Sequence, residues 1–115
     1  MRGRISDKQR LLHIVESITS IESYTEGATI EDFLAQSMMR FATIKQLEII
    51  GEAANNISEE TQNQYQQILC KQIIGLRHIL VHEYFEVDSL VIWQIVHNDL
   101  PSLKHGINNI LNQFD

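Results

Sequence analysis

The chain has 115 residues, 43% of them hydrophobic and 21% charged, and these are the proportions of an ordinary globular protein, so we expect a single domain over 1–115. The lone Cys70 excludes an internal disulfide, and no apolar run approaches the roughly 20 residues of a membrane helix, so we expect a cytoplasmic protein that spans no membrane. The net charge of −6 argues against a protein that binds long nucleic acid mainly through its charge.

Positive charge is concentrated at the start of the chain. Arg2, Arg4, Lys8 and Arg10 against Asp7 give +3 over the first ten residues, whereas the other 105 carry −9. Such an arm can touch a phosphate chain, but the start of a solvated helix explains it at least as well. Any contact with RNA is therefore expected to be short and local.

Helical periodicity organises the first half of the chain. Residues 6–9 (Ser-Asp-Lys-Gln) resemble a capping box and precede apolar residues at helical spacing, which predicts a helix over 6–24. Residues 29–32 resemble a second helix start, and the apolar period that follows predicts a helix over 30–57. Gly51 lies inside this helix beside two alanines, which indicates a close helix–helix crossing.

The second half of the chain is predicted to be helical as well. A polar helix begins at Ser58 and extends to about residue 66, and a further helix covers 71–83. Asp88 is the predicted N-cap of the final helix, which Pro101 must kink or restart because proline lacks an N–H. The pattern predicts an all-α fold, an antiparallel four- to five-helix bundle.

Arg77 stands out in the predicted helix 71–83. Its neighbours at spacings of three and four residues are apolar, namely Ile73, Ile74, Leu80 and Val81. A guanidinium on such a face is costly unless it is paired or the face opens on a cleft or a partner. Tyr84 falls near the same stripe, whereas His82 lies roughly 140° around the helix from Arg77. Arg77 and His82 can therefore converge only through the reach of the arginine, an unwound helix end or a second chain.

Several segments resemble one family. Arg77-x4-His82-x-Tyr84 resembles the signature of the HepT-like branch of the HEPN superfamily, which contains small all-helical toxin ribonucleases. Residues 50–54 resemble the family's helix-two motif, residues 73–77 its approach to the arginine, and residues 98–103 its C-terminal helix. His78 matches the polar residue that often follows the arginine.

The resemblance implies a HEPN-like fold and a toxin of a type II-like toxin–antitoxin pair that acts as a metal-independent endoribonuclease without a cofactor. It implies that Arg77 binds the scissile phosphate, that His82 is the general acid/base and that His78 is an auxiliary polar group. It also implies a homodimer with the arginine and histidine at its cleft. The implied partner is a nucleotidyltransferase-fold antitoxin, which in some systems transfers AMP from ATP to the tyrosine, here Tyr84.

The chemistry of these residue types agrees with that implication. A metal-free ribonuclease must deprotonate a ribose 2′-hydroxyl, stabilise the added charge at phosphorus and protonate the leaving 5′-oxygen. Histidine, with a reference pKa near ~6.5, can accept or donate a proton at neutral pH. The planar guanidinium of arginine matches phosphate oxygens and stays charged. One proton-handling histidine per chain favours a symmetric dimer, which would supply a second.

Two other functions remain open. One is a non-catalytic HEPN module that binds a nucleotide or scaffolds a nucleotidyltransferase. The other is a helical dimerisation domain in which Arg77 pairs with a buried Glu52 on the preceding long helix. A metal site at His78 and His82 is rejected because no carboxylate completes a familiar triad. The remaining residues of interest are expected at the surface or at helix ends (His13, His97, His105) or in the core or a dimer interface (Phe33, Phe41, Trp93).

Overall fold

The computed structural model describes residues 2–69, 73 and 88–114, with side chains from residue 6 onward. Within these residues the elements are α1 (Arg2–Thr25), α2 (Ile30–Ala35), α3 (Ser37–Asn55), α4 (Glu59–Gln64), α5 (Ser89–Gln94), a π-helical turn (Ile95–Asp99) and α6 (Leu100–Leu111). No strand occurs among them, which confirms the all-α prediction. The predicted helix over 71–83 lies outside the described residues, apart from Ile73, which is helical.

The core forms where α1 packs against α3 and α6, and α2 joins it by packing against α3 and α5. The apolar stripe of α1 is buried from Leu11 to Ile21, as its spacing predicts, apart from the half-buried Val15. The buried side chains of these helices include Leu11, Ile14, Ile18 and Ile21 of α1, Phe33 of α2, Leu47, Ile50 and Ala54 of α3, and Leu100, Leu103, Ile107 and Ile110 of α6. Gly51 and Ala53 of α3 are buried as well, in keeping with the predicted close packing of its small residues.

The first helix begins four residues earlier than predicted. Because α1 starts at Arg2, Ser6 and Asp7 lie inside the helix, and the predicted capping box at 6–9 is wrong. The basic residues at the start of the chain therefore belong to the first turns of a helix. This is the simpler of the two explanations given above for their charge. Asp7 is buried, and its carboxylate accepts hydrogen bonds from Ser58 at the start of α4.

The prediction of a single helix over 30–57 is wrong, because the helix is interrupted at Gln36, whose backbone is extended. Its start is confirmed: the hydroxyl of Thr29 accepts from Asp32 N–H at 3.1 Å, and the Asp32 carboxylate accepts from Thr29 N–H at 3.0 Å. The guanidinium of Arg40 donates through Nη1 to the carbonyl of Phe33 at 3.3 Å and also to that of Leu34. These carbonyls would otherwise continue the helical ladder, so Arg40 caps α2 and lets α3 start in a new direction.

Two later helix starts are confirmed. The Ser58 hydroxyl accepts from Thr61 N–H at 3.3 Å and caps α4. The Asp88 carboxylate accepts from Leu90 N–H at 2.8 Å and caps α5. Both caps supply a side-chain oxygen to backbone donors that have no partner within the first turn.

Pro101 restarts the last helix, as predicted. The π-helical turn Ile95–Asp99 immediately precedes α6, and Leu100 N–H donates to the carbonyl of Ile95, five residues back. Pro101 has no N–H for the usual bond four residues back, and it lies in the first turn of α6, where proline is well tolerated. The change of register therefore coincides with the missing donor.

Candidate functional site

The predicted site residues Arg77, His78, His82 and Tyr84 lie outside the described residues. The structure does describe the two ends that frame their segment. On one side Ile73 is helical and packs, half-buried, against the core. On the other side exposed Asp88 caps α5. The described residues on both sides of the predicted site thus belong to helical parts of the protein.

Glu52, the suggested structural partner of Arg77, does not have the environment expected for it. It is exposed on α3, whereas the flanking Gly51 and Ala53 are buried. The expectation of a buried Glu52 that loses its partner when Arg77 is removed is therefore wrong. Because water solvates an exposed carboxylate, an ion pair made by Glu52 would contribute about 1 kcal/mol or less.

A buried carboxylate joins α1 to the cap of α4, and we call Asp7, Ser58 and Thr61 the Asp7 cluster. Asp7 Oδ1 accepts from Ser58 N–H at 2.8 Å. Asp7 Oδ2 accepts from the Ser58 hydroxyl at 2.6 Å and from the Thr61 hydroxyl at 2.7 Å. Because Asp7 and Thr61 are both buried, the cluster is a shielded cross-link between segments 51 to 54 residues apart in sequence.

The environment of Asp7 favours its charged form. Burial alone would raise its pKa, but the hydrogen bonds from Ser58 and Thr61 and the nearby charge of Arg10 lower it, and the pKa lies below its ordinary value. Sequence reasoning placed Asp7 in a capping box and missed this role. The available signal was its position, since Asp7 lies four and seven residues before Leu11 and Ile14 on the buried stripe.

An aromatic group lies at the other end of the described bundle, where α5 meets α2. The rings of Phe33 and Trp93 are 5.3 Å apart, and the ring of His97 lies 4.0 Å from that of Trp93. His97 Nδ1 is 3.0 Å from the carbonyl of Trp93. A carbonyl only accepts, so Nδ1 carries the proton. His97, His13 and His105 are all exposed, as predicted, while Phe33 is buried and Phe41 is exposed.

Two open grooves follow the outer face of α1. One, of about 400 Å³, is lined by Ser6, Gln9, Arg10, His13 and Glu16. The other, of about 470 Å³, shares His13 and Glu16 and reaches Gln46 and Ile49 of α3. Among the described lining residues of the first groove, Arg10 and Glu16 bring opposite charges to the same face.

The described residues contain no group of three or more histidine, cysteine, aspartate or glutamate side chains placed to bind a metal ion. Among the same residues, none of the helices combines the length and apolar character that crossing a bilayer requires.

Comparison with known families decides the affiliation of the chain. The model of the ribonuclease HepT-like family matches residues 14–110. The chain belongs to this family. The match extends from the middle of α1 to the end of α6 and includes Arg77, His82 and Tyr84, so the all-α bundle described above is an example of the HepT-like fold of the HEPN superfamily.

Individual relatives agree with the family match. The chain is 41% identical over 99 residues to a protein of Thermococcus cleftensis named "Probable ribonuclease HepT", which covers 86% of this chain and 90% of that protein. It is 36% identical over 100 residues to a candidate RNase of Methanocaldococcus jannaschii, covering 87% and 92% of the two chains.

A longer relative from Methanocaldococcus jannaschii is named as a gamma-glutamylcyclotransferase and candidate RNase. It is 40% identical over 105 residues, which are 91% of this chain but 47% of that relative. The chain thus spans about half the length of this relative. No solved structure is significantly similar to the chain.

Proposed function

We propose that the chain is the toxin of a toxin–antitoxin pair: a cytoplasmic, homodimeric, metal-independent endoribonuclease that a nucleotidyltransferase-fold antitoxin neutralises. The observation that carries this proposal is the family match over residues 14–110, which includes the Arg77-x4-His82-x-Tyr84 segment. The names of the relatives support the same kind of activity, since each of those described above is named as a ribonuclease or RNase.

The proposed reaction uses the ribose of the substrate as the nucleophile. His82 accepts the proton of the 2′-hydroxyl, the 2′-oxygen attacks the adjacent phosphorus, and the bond from phosphorus to the 5′-oxygen breaks. A second proton-handling group, supplied by the other copy in the dimer, protonates the leaving 5′-oxygen. Such proton transfers typically contribute a factor of about 10²–10⁴ each.

Arg77 has the complementary role of binding the phosphate. Its guanidinium can make two parallel hydrogen bonds to the non-bridging oxygens, which carry additional charge in the transition state. His78, next to it in sequence, is proposed as an auxiliary polar group that positions the RNA or the arginine. None of these roles requires a metal ion.

The test is RNA cleavage by the purified chain in the presence and absence of a chelator. We expect the wild type to cleave equally well in both, and we expect Arg77→Ala and His82→Ala each to lose at least about 100-fold in rate. His105→Ala is the matched control, because His105 is an exposed histidine on α6 and should keep full activity. Undiminished cleavage by His82→Ala, or a strict need for a divalent ion, would contradict the mechanism.

The same experiment separates the toxin from a non-catalytic module. A module that only binds a nucleotide or scaffolds a nucleotidyltransferase would leave RNA intact, and Arg77→Ala would not change that result. Cleavage that disappears in Arg77→Ala but persists in His105→Ala would exclude a contaminating nuclease as well.

A further inference from the structure

Three aromatic rings run from the core to the surface where α5 meets α2, and we call Phe33, Trp93 and His97 the aromatic row. The ring centres of Phe33 and Trp93 are 5.3 Å apart, and those of Trp93 and His97 are 4.0 Å apart. Phe33 is buried, Trp93 is half-buried and His97 is exposed. The row therefore ends in an imidazole that has the indole on one side and solvent on the other.

The backbone holds the outer ring of the row in place. His97 Nδ1 lies 3.0 Å from the carbonyl of Trp93, to which it donates its proton. This hydrogen bond and the contact with the indole restrict the imidazole to one orientation, inclined by 35° to the indole. A free histidine side chain loses conformational entropy when it contacts a ligand, and at His97 this loss has already occurred on folding.

The backbone conformation at His97 is uncommon as well. His97 is the central residue of the π-helical turn Ile95–Asp99. Turns of this kind are rare, and they occur frequently at functional sites. Exposed Gln94 lies one helical turn before His97, and its amide can both donate and accept hydrogen bonds. An oriented ring and a hydrogen-bonding amide thus lie side by side on one exposed face.

The local charge distinguishes between the two parts of an RNA that an exposed histidine can contact, a phosphate and a base. Asp99 is the only Asp, Glu, Lys or Arg in 94–100, and its exposed carboxylate repels a phosphate. A base carries no charge, and its flat face stacks on aromatic side chains. The aromatic row therefore fits a nucleobase better than a phosphate.

The strength of a single stack indicates that the base belongs to a strand. Stacking of one base on an aromatic side chain changes affinity by roughly 5- to 150-fold. A free nucleotide held by this contact alone would dissociate with a constant on the order of 10 mM. A base in a strand that is also bound elsewhere on the protein gains from the high effective concentration that the second contact creates.

The proposed ribonuclease site supplies such a second contact within reach. Asp88, the N-cap of α5, follows His82 by six residues, and His97 follows Asp88 by nine residues of helical backbone. At most about 3.6 Å per residue before Asp88 and about 1.5 Å per residue after it place the aromatic row within roughly 35 Å of His82. Even a stacked strand, with about 3.4 Å per nucleotide, covers this distance in about 12 nucleotides.

From these observations we propose that the aromatic row is a nucleobase-binding subsite, on which one unpaired base of the RNA stacks outside the segment that carries the proposed cleavage chemistry. The inference deepens the proposed function and rests on it for the nature of the substrate. The position of the subsite rests on the three rings, the hydrogen bond of His97 and the local charge. In this subsite His97 binds substrate and takes no part in proton transfer.

The test is binding of a single-stranded 2′-O-methyl RNA of about 12 nucleotides, followed by the anisotropy of a terminal fluorescein. This probe cannot be cleaved, because its 2′-oxygens carry no proton, so binding is measured apart from cleavage. His97→Leu and His97→Phe are a matched pair, since both lose the hydrogen bond to Trp93 and only the Phe variant keeps a flat ring. We expect the dissociation constant to rise at least about 5-fold in His97→Leu and to stay within about twofold of the wild type in His97→Phe. The control is His105→Ala, an exposed histidine on α6, which should bind like the wild type.

Salt and a free nucleotide separate base stacking from other contacts. Stacking releases no counterions, so the ratio of the His97→Leu and wild-type dissociation constants should be the same at about 50 mM and about 200 mM salt. AMP at about 1 mM should leave the probe bound. A ratio that falls with salt would assign His97 to a phosphate, and displacement by AMP would assign the aromatic row to free nucleotides. Either result overturns the proposal.

Equal binding by the wild type and His97→Leu overturns the proposal, and so does a His97→Phe variant that binds as weakly as His97→Leu or a wild type that does not bind the probe. Circular dichroism checks that both variants keep their helices, which is expected because His97 is exposed. RNA cleavage by the wild type with unchanged probe binding in His97→Leu overturns this inference alone. Binding that depends on the ring, without any cleavage, overturns the proposed cleavage alone.

Discussion

Asp7 has the most unusual environment of any described carboxylate, since it is buried and accepts three hydrogen bonds. We predict that Asp7→Asn lowers the free energy of unfolding at pH 7 by about 1.5–3 kcal/mol, because it replaces charge-assisted hydrogen bonds by weaker neutral ones. Urea denaturation measures the effect. Asp99→Asn is the control, since exposed Asp99 caps no helix with its side chain, and it should change the free energy by less than about 0.5 kcal/mol.

The difference between wild type and Asp7→Asn should depend on pH. The pKa of Asp7 is lowered in the folded protein, so its contribution is complete above the unfolded-state value near ~3.9 and is lost as the pH falls through the lower folded value. We therefore expect a constant difference from pH 7 to about pH 5 and a smaller one near pH 3. A difference that grows in acid would contradict the favourable environment of the Asp7 carboxylate.

We propose that Tyr84 is the residue through which the proposed antitoxin controls the chain, and that it takes no part in RNA cleavage. A phenol with a reference pKa near ~10 handles protons poorly at neutral pH, but its oxygen can accept an AMP group from ATP, with loss of pyrophosphate. The added phosphate would oppose RNA binding at Arg77 by charge and bulk. We expect Tyr84→Phe to cleave RNA like the wild type and to escape neutralisation by the antitoxin.

Intact mass after incubation with antitoxin and ATP measures this modification. The wild type should gain AMP-sized increments and the Phe form none, with Tyr24→Phe, an exposed tyrosine on α1, as the control that is still modified. Increments on the Tyr84→Phe chain, or suppression of the wild type without any increment, would show that control does not act through Tyr84.

At the scale of elements, α6 packs tightly against the turn that follows α4. A Cβ added at Gly106 would lie 3.1–3.2 Å from three side-chain carbons of Ile68. We predict that Gly106→Ala changes the free energy of unfolding by less than about 1 kcal/mol, since the gain in helix propensity offsets the small shift required of Ile68. Gly106→Val, which needs more room, should destabilise by about 1–3 kcal/mol.

Ser102→Val is the control for Gly106→Val, because Ser102 is exposed on the same helix and meets no such crowding. Urea denaturation of all three variants measures these effects. Equal stability of Gly106→Val and Ser102→Val would show that the turn at Ile68 can move away from α6 at no cost.

Helix starts were predictable from sequence where a side chain caps its own helix. Thr29, Ser58 and Asp88 do so, and all three starts are confirmed. The pattern at Ser6 failed because α1 already begins at Arg2, so Ser6 lies inside the helix and Asp7 bonds to the cap of α4 instead. The break at Gln36 was missed because its cause, the Arg40 guanidinium on the carbonyls of α2, lies beyond the break and leaves the apolar period intact.

The sequence allows a prediction of which residues form the candidate site, but not of the residues that surround them in space. Sequence and family resemblance select Arg77 and His82, whose neighbours lie outside the described residues. The exposure of Glu52 was not predictable from the sequence. The small residues beside it on α3 lie on the buried faces of the helix, and Glu52 lies on the exposed face. Periodicity assigns a face to each residue, but which faces stay uncovered depends on how the helices cross.

The whole molecule is predicted to form its site from two copies. The proposed reaction uses two proton-handling groups, one from each copy, so each site would need the histidines of both copies. Mixing wild-type and His82→Ala chains should then leave every heterodimer inactive, and only wild-type dimers should cleave RNA. At equilibrium in a 1:1 mixture we expect roughly a quarter of the wild-type rate.

The RNA cleavage assay measures this loss, with each chain alone as the control. A mixture that keeps half the wild-type rate, from dimers shown to exchange subunits, would place all proton-handling groups of a site in the same copy.

The ring contacts of Trp93 give the molecule an optical reporter of its own. Trp93 is the only tryptophan of the chain, and the centre of its indole lies 4.0 Å from that of the His97 imidazole. The N-cap of the same helix, Asp88, follows the predicted catalytic segment closely in sequence. Its emission therefore reports on a single place in the molecule, without any dye or label. Changes in that emission during dilution or RNA addition can be followed in real time, in the unmodified protein.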